Sequence, residues 1–290
     1  MSASALPARA RINFGWMRGL PWLPIIVLGA VGVCAAAGEW IMPHDPNGLD
    51  LGASFTPPAW QEGGSMTYPL GTDNLGRDIL TRIMAGSRVS VIVAFYAILF
   101  SGSIGALVGM IAGYFGGRVD AVLMRLIEIQ QSVPSIALAL ILAAAMEPGL
   151  TTVVVVIVLT YWAWYARIIR GEIMALKGRD YIAFARVAGV STPVIFVRHL
   201  LPNIFNTLVV LGTLQVGQVI LFEASLSFLG LGIQQPDISW RLMLSDARQY
   251  ITNAWWAITM PGLAIMVTCL SANVFGDWLR DRLDPQLRQL

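Results

Sequence analysis

Few residues in this chain can ionise or act as nucleophiles, and their spacing excludes more chemistry than it offers. Only 12% of the 290 residues are charged, and two are histidine and two cysteine. A phosphate-binding loop needs the pattern G-x-x-x-x-G-K-[ST], in which backbone amides cradle phosphates and the lysine reaches them. Lys177, the sole lysine, stands between Leu176 and Gly178, so the chain carries no such loop and cannot hydrolyse ATP by that route. His44 and His199 fall in segments expected on opposite faces of a membrane, so no metal site built on paired histidines can form. No G-x-S-x-G elbow and no Ser-His-Asp set stands out. The expected counts of catalytic residues, metal ligands and cofactors are therefore none. Cys34 and Cys269 lie inside apolar runs and read as buried free thiols rather than a disulfide.

Charge inside apolar stretches is the next chemical signal, because a lipid-embedded ion is a functional candidate by default. Arg125 and Glu128 are three residues apart and can pair on one helix face as a structural ion pair. Glu223 has no such neighbour and reads as a gate or helix-packing residue. With Ser225, Ser227 and Phe228 it makes up the candidate pathway or gate set. A proton relay needs several ionisable groups in series, and this run offers one.

The segment DYIAFARVAGVSTPVIFVRHLLPN, Asp180 to Asn203, has a different character. Tyr181 to Ala188 form a short amphipathic helix of small and apolar residues, and Gly189 lets the backbone turn. A second short helix begins near Ser191, with Ser191 or Thr192 as cap and Pro193 in its first turn. An apolar helix outside the membrane calls for a cover, either a partner protein or the lipid surface itself.

The elements that must position these residues follow from composition. The chain is 56% hydrophobic, and its charge density is about half the roughly 25% of ordinary soluble domains, so much of its outside must face lipid. The fold class is all-α, a polytopic membrane protein. A spanning helix needs about 20 mostly apolar residues, and six stretches qualify. They run near Leu20–Met42, Val89–Gly113, Val119–Met146, Leu150–Ile169, Ile204–Phe228 and Trp256–Trp278. The first has a rival reading as a cleaved signal peptide, but its length, two prolines and two tryptophans favour a retained anchor. Arginine and lysine concentrate in the amino-terminal leader, in Arg167 to Arg198 and in the carboxy-terminal tail, which puts both termini in the cytosol. Arg77, Arg82 and Arg88 run against that bias, with Asp73 and Asp78 nearby as partners. The expected organisation is a cytosolic start and first helix (1–45), an extracytoplasmic loop (46–88), a five-helix core (89–280) containing a cytosolic loop (170–203), and a short cytosolic tail (281–290).

Several of these segments together resemble a known family. Ala183-Phe184-Ala185, Gly189 and His199-Leu200-Leu201-Pro202 are spaced as in the EAA loop of ABC importer permeases. Ala183 stands where the family has glutamate, and Phe184 where it has its first alanine. YPLGTDNLGRDILTRIMAGSRVSV (Tyr68 to Val91), GYFGGRVD (Gly113 to Asp120), SLSFLGLG (Ser225 to Gly232) and GDWLRDRLDP (Gly276 to Pro285) are similar to the dipeptide, oligopeptide and nickel branch. QQPDISWRLM resembles that branch's outer loop, with Arg241 in place of a usual glycine. The resemblance implies an ABC importer permease core with an extra amino-terminal anchoring helix, in the bacterial inner membrane. It implies a coupling loop in which Tyr181, Ala183, Phe184, Ala185, Arg186, Gly189, His199 and Pro202 meet the ATPase. The implied partners are a second homologous permease, two cytosolic ATP-binding subunits, an extracytoplasmic substrate-binding protein and membrane lipid, with no nucleic acid. A di- or oligopeptide is the implied substrate, with nickel, glutathione and opine-like compounds as alternatives. A stand-alone secondary transporter or channel would need midplane ion-coupling residues or inverted repeats, and neither is visible.

Overall fold

The computed structural model describes residues 19–228 and 237–283, with the side chains of Ser227 and Phe228 excepted. The described residues form ten α-helices and no strand beyond an isolated bridge between Thr72 and Asp78. Five helices are long and apolar enough to cross a membrane: α1 (Trp22–Ile41), α2 (Ile79–Phe115), α5 (Leu150–Lys177), the span Thr192–Leu226 and α10 (Trp255–Leu283). All-helical architecture is what lipid imposes, since a helix satisfies its backbone polar groups within its own segment.

The third expected span is broken. It consists of α3 (Gly117–Ser132) and α4 (Ser135–Ala144), which meet at 88°. Pro134 has no N–H to continue the ladder and pushes Val133 into the extended region (φ −86°, ψ 129°), so α3 stops and α4 restarts. Two other helices outrun their apolar stretches. Helix α2 starts at Ile79 rather than near Val89, because Asp78 caps it by accepting from the amides of Leu80 and Thr81 at 3.2 Å each. Its polar first turns are buried, Thr81 and Arg82 included, because a folded loop covers them. Helix α5 continues past Ile169 to Lys177, and Ile169 and Ile173 are fully buried there.

The closest helix pair is α2 with α5. Gly105, Gly109 and Gly113 recur at i, i+4, i+8 and so line one face of α2. A Cβ on Gly105 would stand 2.4 Å from Tyr165 Cβ, and one on Gly109 2.6 Å from the carbonyl oxygen of Ala166. No side chain fits there, so the two backbones touch. Above and below this seam lie two apolar clusters. One joins Val93, Ala97, Val153 and Ile157 to Phe222, and the other joins Met110, Tyr114, Ile169 and Ile173 to Ile182, Ile195 and Leu200.

At one end of the bundle the chain between α1 and α2 folds over the helix ends. Arg77 donates from Nε to Asp73 at 2.7 Å and reaches Asp246 at 3.5 Å, with Arg82 4.0 Å from Asp246. Asp246 belongs to α9 (Trp240–Ala247), so this buried network joins the loop to a second short helix at the same end. Burial pushes the Asp246 carboxyl above its ordinary range, and Arg77 and Arg82 pull it back down. Trp256 Nε1 donates to the Thr72 carbonyl at 3.0 Å, and Trp240 Nε1 to the Ile83 carbonyl at 2.7 Å.

The seam gives a paired test. Gly105→Ala is expected to lower thermal stability in detergent by an amount equivalent to about 1–3 kcal/mol, the usual cost of overpacking. Gly171, in α5 with nothing within 4 Å of a built Cβ, is the control. Gly171→Ala is expected to be neutral or to stabilise by about 0.5–1 kcal/mol through helix propensity. Fluorescence-detected melting of both variants checks the pair.

Candidate functional site: an exposed short helix beside a polar cleft

Helix α6 (Asp180–Val187) hangs from the end of the bundle opposite the folded loop. Its inner face, Ile182 and Ala185, is buried in the cluster with Ile173, Ile195 and Leu200. Tyr181, Phe184 and Val187 follow at i, i+3, i+6 on the other face. Phe184 is 72% and Val187 89% exposed, which leaves an apolar row open. Gly189 ends the helix with φ +76°. The amide of Val190 bonds the Ala185 carbonyl at 3.0 Å and that of Gly189 the Arg186 carbonyl at 3.0 Å. This is the Schellman pattern, completed by Val190 packing into the same cluster as Ala185. Arg186 lies 4.7 Å over the Tyr114 ring, a cation–π contact that pins α6 to α2.

Beyond Gly189 the chain forms a single turn, α7 (Thr192–Val194), with Ser191 at its N-cap position and Pro193 in the turn. It passes through a π-helical stretch, Ile195–Leu200, into α8 (Leu201–Phe228). His199 lies in the π-helical stretch, its ring 6.4 Å from that of Tyr181. Pro202 is exposed in the first turn of α8, and Ala183 is exposed on α6. Tyr181, Ala183, Phe184, Ala185, Arg186, Gly189, His199 and Pro202 are thus brought to one end of the molecule.

Next to this element opens a cleft of about 1560 Å³. Gln130 and Gln131 of α3, Thr160, Tyr161, Arg167 and Glu172 of α5, Asn206, Thr207, Gln215 and Gln218 of α8, and Arg280 of α10 line it. Thr207 Oγ1 donates to Glu172 Oε1 at 3.0 Å and joins α5 to α8. Gln130 Nε2 donates to the Leu159 carbonyl at 2.6 Å, which ties α3 to α5. A second groove, about 840 Å³, is lined almost wholly by apolar side chains of α1, α2 and α8.

The other sequence-derived candidates are separate from the cleft. Glu223 is buried on α8, about one and a half turns beyond Gln218, and interacts electrostatically with Arg241 of α9. Burial pushes the Arg241 guanidinium below its ordinary range, and the Glu223 charge opposes that shift. Ser225 Oγ donates to the Leu221 carbonyl at 3.0 Å in its own helix. The side chains of Ser227 and Phe228 lie outside the described residues, as do residues 229–232 of the SLSFLGLG segment. Arg125 and Glu128 pair at 3.3 Å on an exposed face of α3, where such a pair contributes little to stability. The cleft residues themselves were missed. Their signal is single uncharged polar residues at helical spacing within apolar runs, such as Asn203, Asn206 and Thr207, then Gln215 and Gln218, which place one polar stripe along α8.

Residues 105–289 match the family described as the binding-protein-dependent transport system inner membrane component. The di/tripeptide transport system permease protein DppC of Pseudomonas aeruginosa is 39% identical over 276 residues, 95% of this chain and 89% of the relative. The dipeptide transport system permease protein DppC of Escherichia coli K12 is 40% identical over 277 residues, 96% of this chain and 91% of the relative. The nickel transport system permease protein NikC of the same strain is 37% identical over 265 residues, 91% and 94% respectively. Among solved structures, an inward-facing MetNI methionine ABC transporter superposes with TM-score 0.56 at 16% identity, over 71% of this chain and 98% of that one. That likeness establishes the fold.

A water-filled cleft is testable without knowing what passes through it. In a chain with Cys34 and Cys269 replaced, cysteines at Asn206 and Gln218 are expected to react with a charged thiol reagent. A cysteine at Leu270, 60% exposed on an apolar face of α10, is expected to stay unmodified in the bilayer. Equal labelling at all three positions would show that the cleft is no wetter than the lipid face.

Proposed function

Since this chain belongs to the family of binding-protein-dependent transport system inner membrane components, we propose that α6 and Gly189 form the coupling element of an ABC importer for di- or oligopeptides. The chain is a membrane permease subunit and not an enzyme, and ATP hydrolysis belongs to separate ATPase subunits. The observation that carries the proposal is the exposed apolar row Tyr181, Phe184 and Val187 on a helix whose opposite face is locked into the bundle. A surface of that kind is suited to receive force. It offers a partner an apolar knob, and its inner face passes displacement to Ile173 and Tyr114 as a rigid unit.

In the proposed assembly the chain pairs with a second homologous permease, and two ATPase subunits bind the α6 end. That end is therefore cytosolic, the folded loop 43–78 is extracytoplasmic, and both termini are inside. The polar cleft is this chain's half of the pathway, open toward the cytosol. Its amides and hydroxyls match a peptide backbone, while Glu172 and the arginines Arg167 and Arg280 offer counter-charges to the two peptide termini. Closure of the ATPases shifts α6, and the bundle rocks to open the other end. Glu223 with Arg241 lies toward that end and serves as a gate contact.

Two experiments test this reading. A Cβ at Gly189 would meet no neighbour within 4 Å, but a Val there must adopt positive φ, at a cost of about 1–2 kcal/mol. Gly189→Val is therefore expected to insert normally but to lose ATPase co-purification and most uptake. Gly178→Val, at φ −81° in the same segment, is expected to be mild. Full uptake with the ATPase still bound to Gly189→Val would remove α6 from the coupling role. For orientation, a cysteine at Glu62 is expected to be labelled by an impermeant reagent in spheroplasts and one at Gly178 to be protected. The reverse pattern would invert the topology.

A further inference from the structure

The polar cleft changes character along its length. Thr207 bonds Glu172, and further from α6 the Tyr161 ring packs against Phe222 at 5.3 Å, so α5 and α8 run antiparallel along it. Counted from the Thr207–Glu172 bond at the helical rise, Arg167 lies about 8 Å away, Gln215 about 12 Å and Tyr161 about 16 Å. Of the other charged lining residues, Arg179 immediately precedes α6, and Arg280 stands near the end of α10 remote from the folded loop. Formal charge in the cleft therefore gathers toward α6. Farther in, the wall is made of uncharged hydrogen-bonding groups.

Three of those groups, from three helices, are held in place and still keep bonding capacity. Gln130 of α3 donates from Nε2 to the carbonyls of Leu159 at 2.6 Å and Thr160 at 3.2 Å. Both partners are acceptors, so the amide sits only one way round, and Oε1 is the atom left for the cleft. Tyr161 of α5 has its ring fixed by Phe222, and its hydroxyl bonds no other described residue. Gln215 of α8 lines the cleft with only 4% of its surface exposed, and its amide has no partner among the described residues. Leaving a buried amide unpaired is costly, so this wall is suited to a ligand that supplies the missing bonds.

We infer that Gln130, Tyr161 and Gln215 form a station in the pathway that reads the peptide unit of the cargo through its N–H and C=O. Gln130 Oε1 accepts from the cargo amide, Gln215 Nε2 donates to the cargo carbonyl, and the Tyr161 hydroxyl serves either atom. A wall without formal charge suits a neutral peptide unit, whereas a divalent metal cation calls for imidazole, thiolate or carboxylate ligands. The inference rests on the reading of this chain as a peptide importer subunit. It goes beyond that reading in naming the groups that recognise the cargo and the polarity each presents. Such groups discriminate, because a cargo lacking the matching donor or acceptor leaves them unpaired.

The test uses the complete permease–ATPase assembly in proteoliposomes, with saturating cognate binding protein and a mixture of dipeptides as cargo. Uptake is read by mass spectrometry and expressed per ATP hydrolysed. Gln215→Leu and Tyr161→Phe nearly preserve side-chain size, and each is expected to lower that ratio about three- to tenfold, as loss of one hydrogen bond in transit does. Thermal stability and the amount of bound ATPase, measured on the same preparations, are expected to match the unmodified assembly. Gln130→Lys keeps donors for the two α5 carbonyls but offers the cleft no acceptor, so it is expected to do no better than Gln130→Met. Recovery of uptake with Lys would reduce Gln130 to a strut between α3 and α5 and overturn its reading role. An unchanged ratio in either Gln215→Leu or Tyr161→Phe, or a fall that tracks lost stability or lost ATPase, overturns the station while the functional reading stands. If the unmodified assembly imports none of the dipeptides, the functional reading fails and this inference with it.

Discussion

Everything distinctive about this subunit hangs on the side-chain-free contact between α2 and α5. In lipid there is no hydrophobic gain from pressing one apolar helix on another, so association depends on close packing. Gly105, Gly109 and Gly113 supply that packing by letting the α5 backbone reach the distance at which a Cβ would clash. With α5 held there, Ile169 and Ile173 face Met110 and Tyr114, and the pocket they form is where Ile182 and Ala185 of α6 lodge. Helix α6 can leave its outer face exposed because its inner face is firmly held.

The opposite end is organised by charge instead. Arg77 and Arg82 converge on Asp73 and Asp246 in a largely buried network. Burying ions is costly unless each finds a partner, and here they come from three elements: the loop, α2 and α9. The network therefore fixes the relative placement of these elements more than it stabilises the fold. It also accounts for two of the three arginines that ran against the charge bias, since Arg77 and Arg82 face protein, while Arg88 is exposed and pairs with Glu39.

Much of this was legible in the sequence, and the reasons for the rest are physical. Apolar runs of spanning length gave α1, α5, α8 and α10 to within a few residues at most ends, because burial in lipid demands such runs whatever the tertiary contacts. The α5 end was missed because Arg170, Glu172 and Lys177 interrupt the apolar run, yet Ile173 between them anchors α6. The start of α2 was missed for the same reason, since its first turns are buried by protein rather than by lipid. Pro134 lies within the third apolar stretch and breaks its helix, but a proline alone does not dictate the 88° angle between α3 and α4. The turn at Gly189 was readable because few other residues tolerate that backbone. The cleft was not, because Gln130, Glu172, Gln215 and Arg280 come from four helices, and only the fold brings them to one wall.

The π-helical stretch Ile195–Leu200 sits between α7 and α8, and so between the exposed α6 element and the helix that lines the cleft. A π turn carries one residue more than the α turn it interrupts, and each residue of an α-helix advances the facing direction by about 100°. The single extra residue therefore sets the phase between the two working faces, like a keyway fixing one gear wheel to a shaft. A chain one residue shorter here would keep its hydrophobicity, its span length and both faces. It would nevertheless point them in mismatched directions. The transmission ratio of this subunit is thus written in a residue count as much as in residue identities.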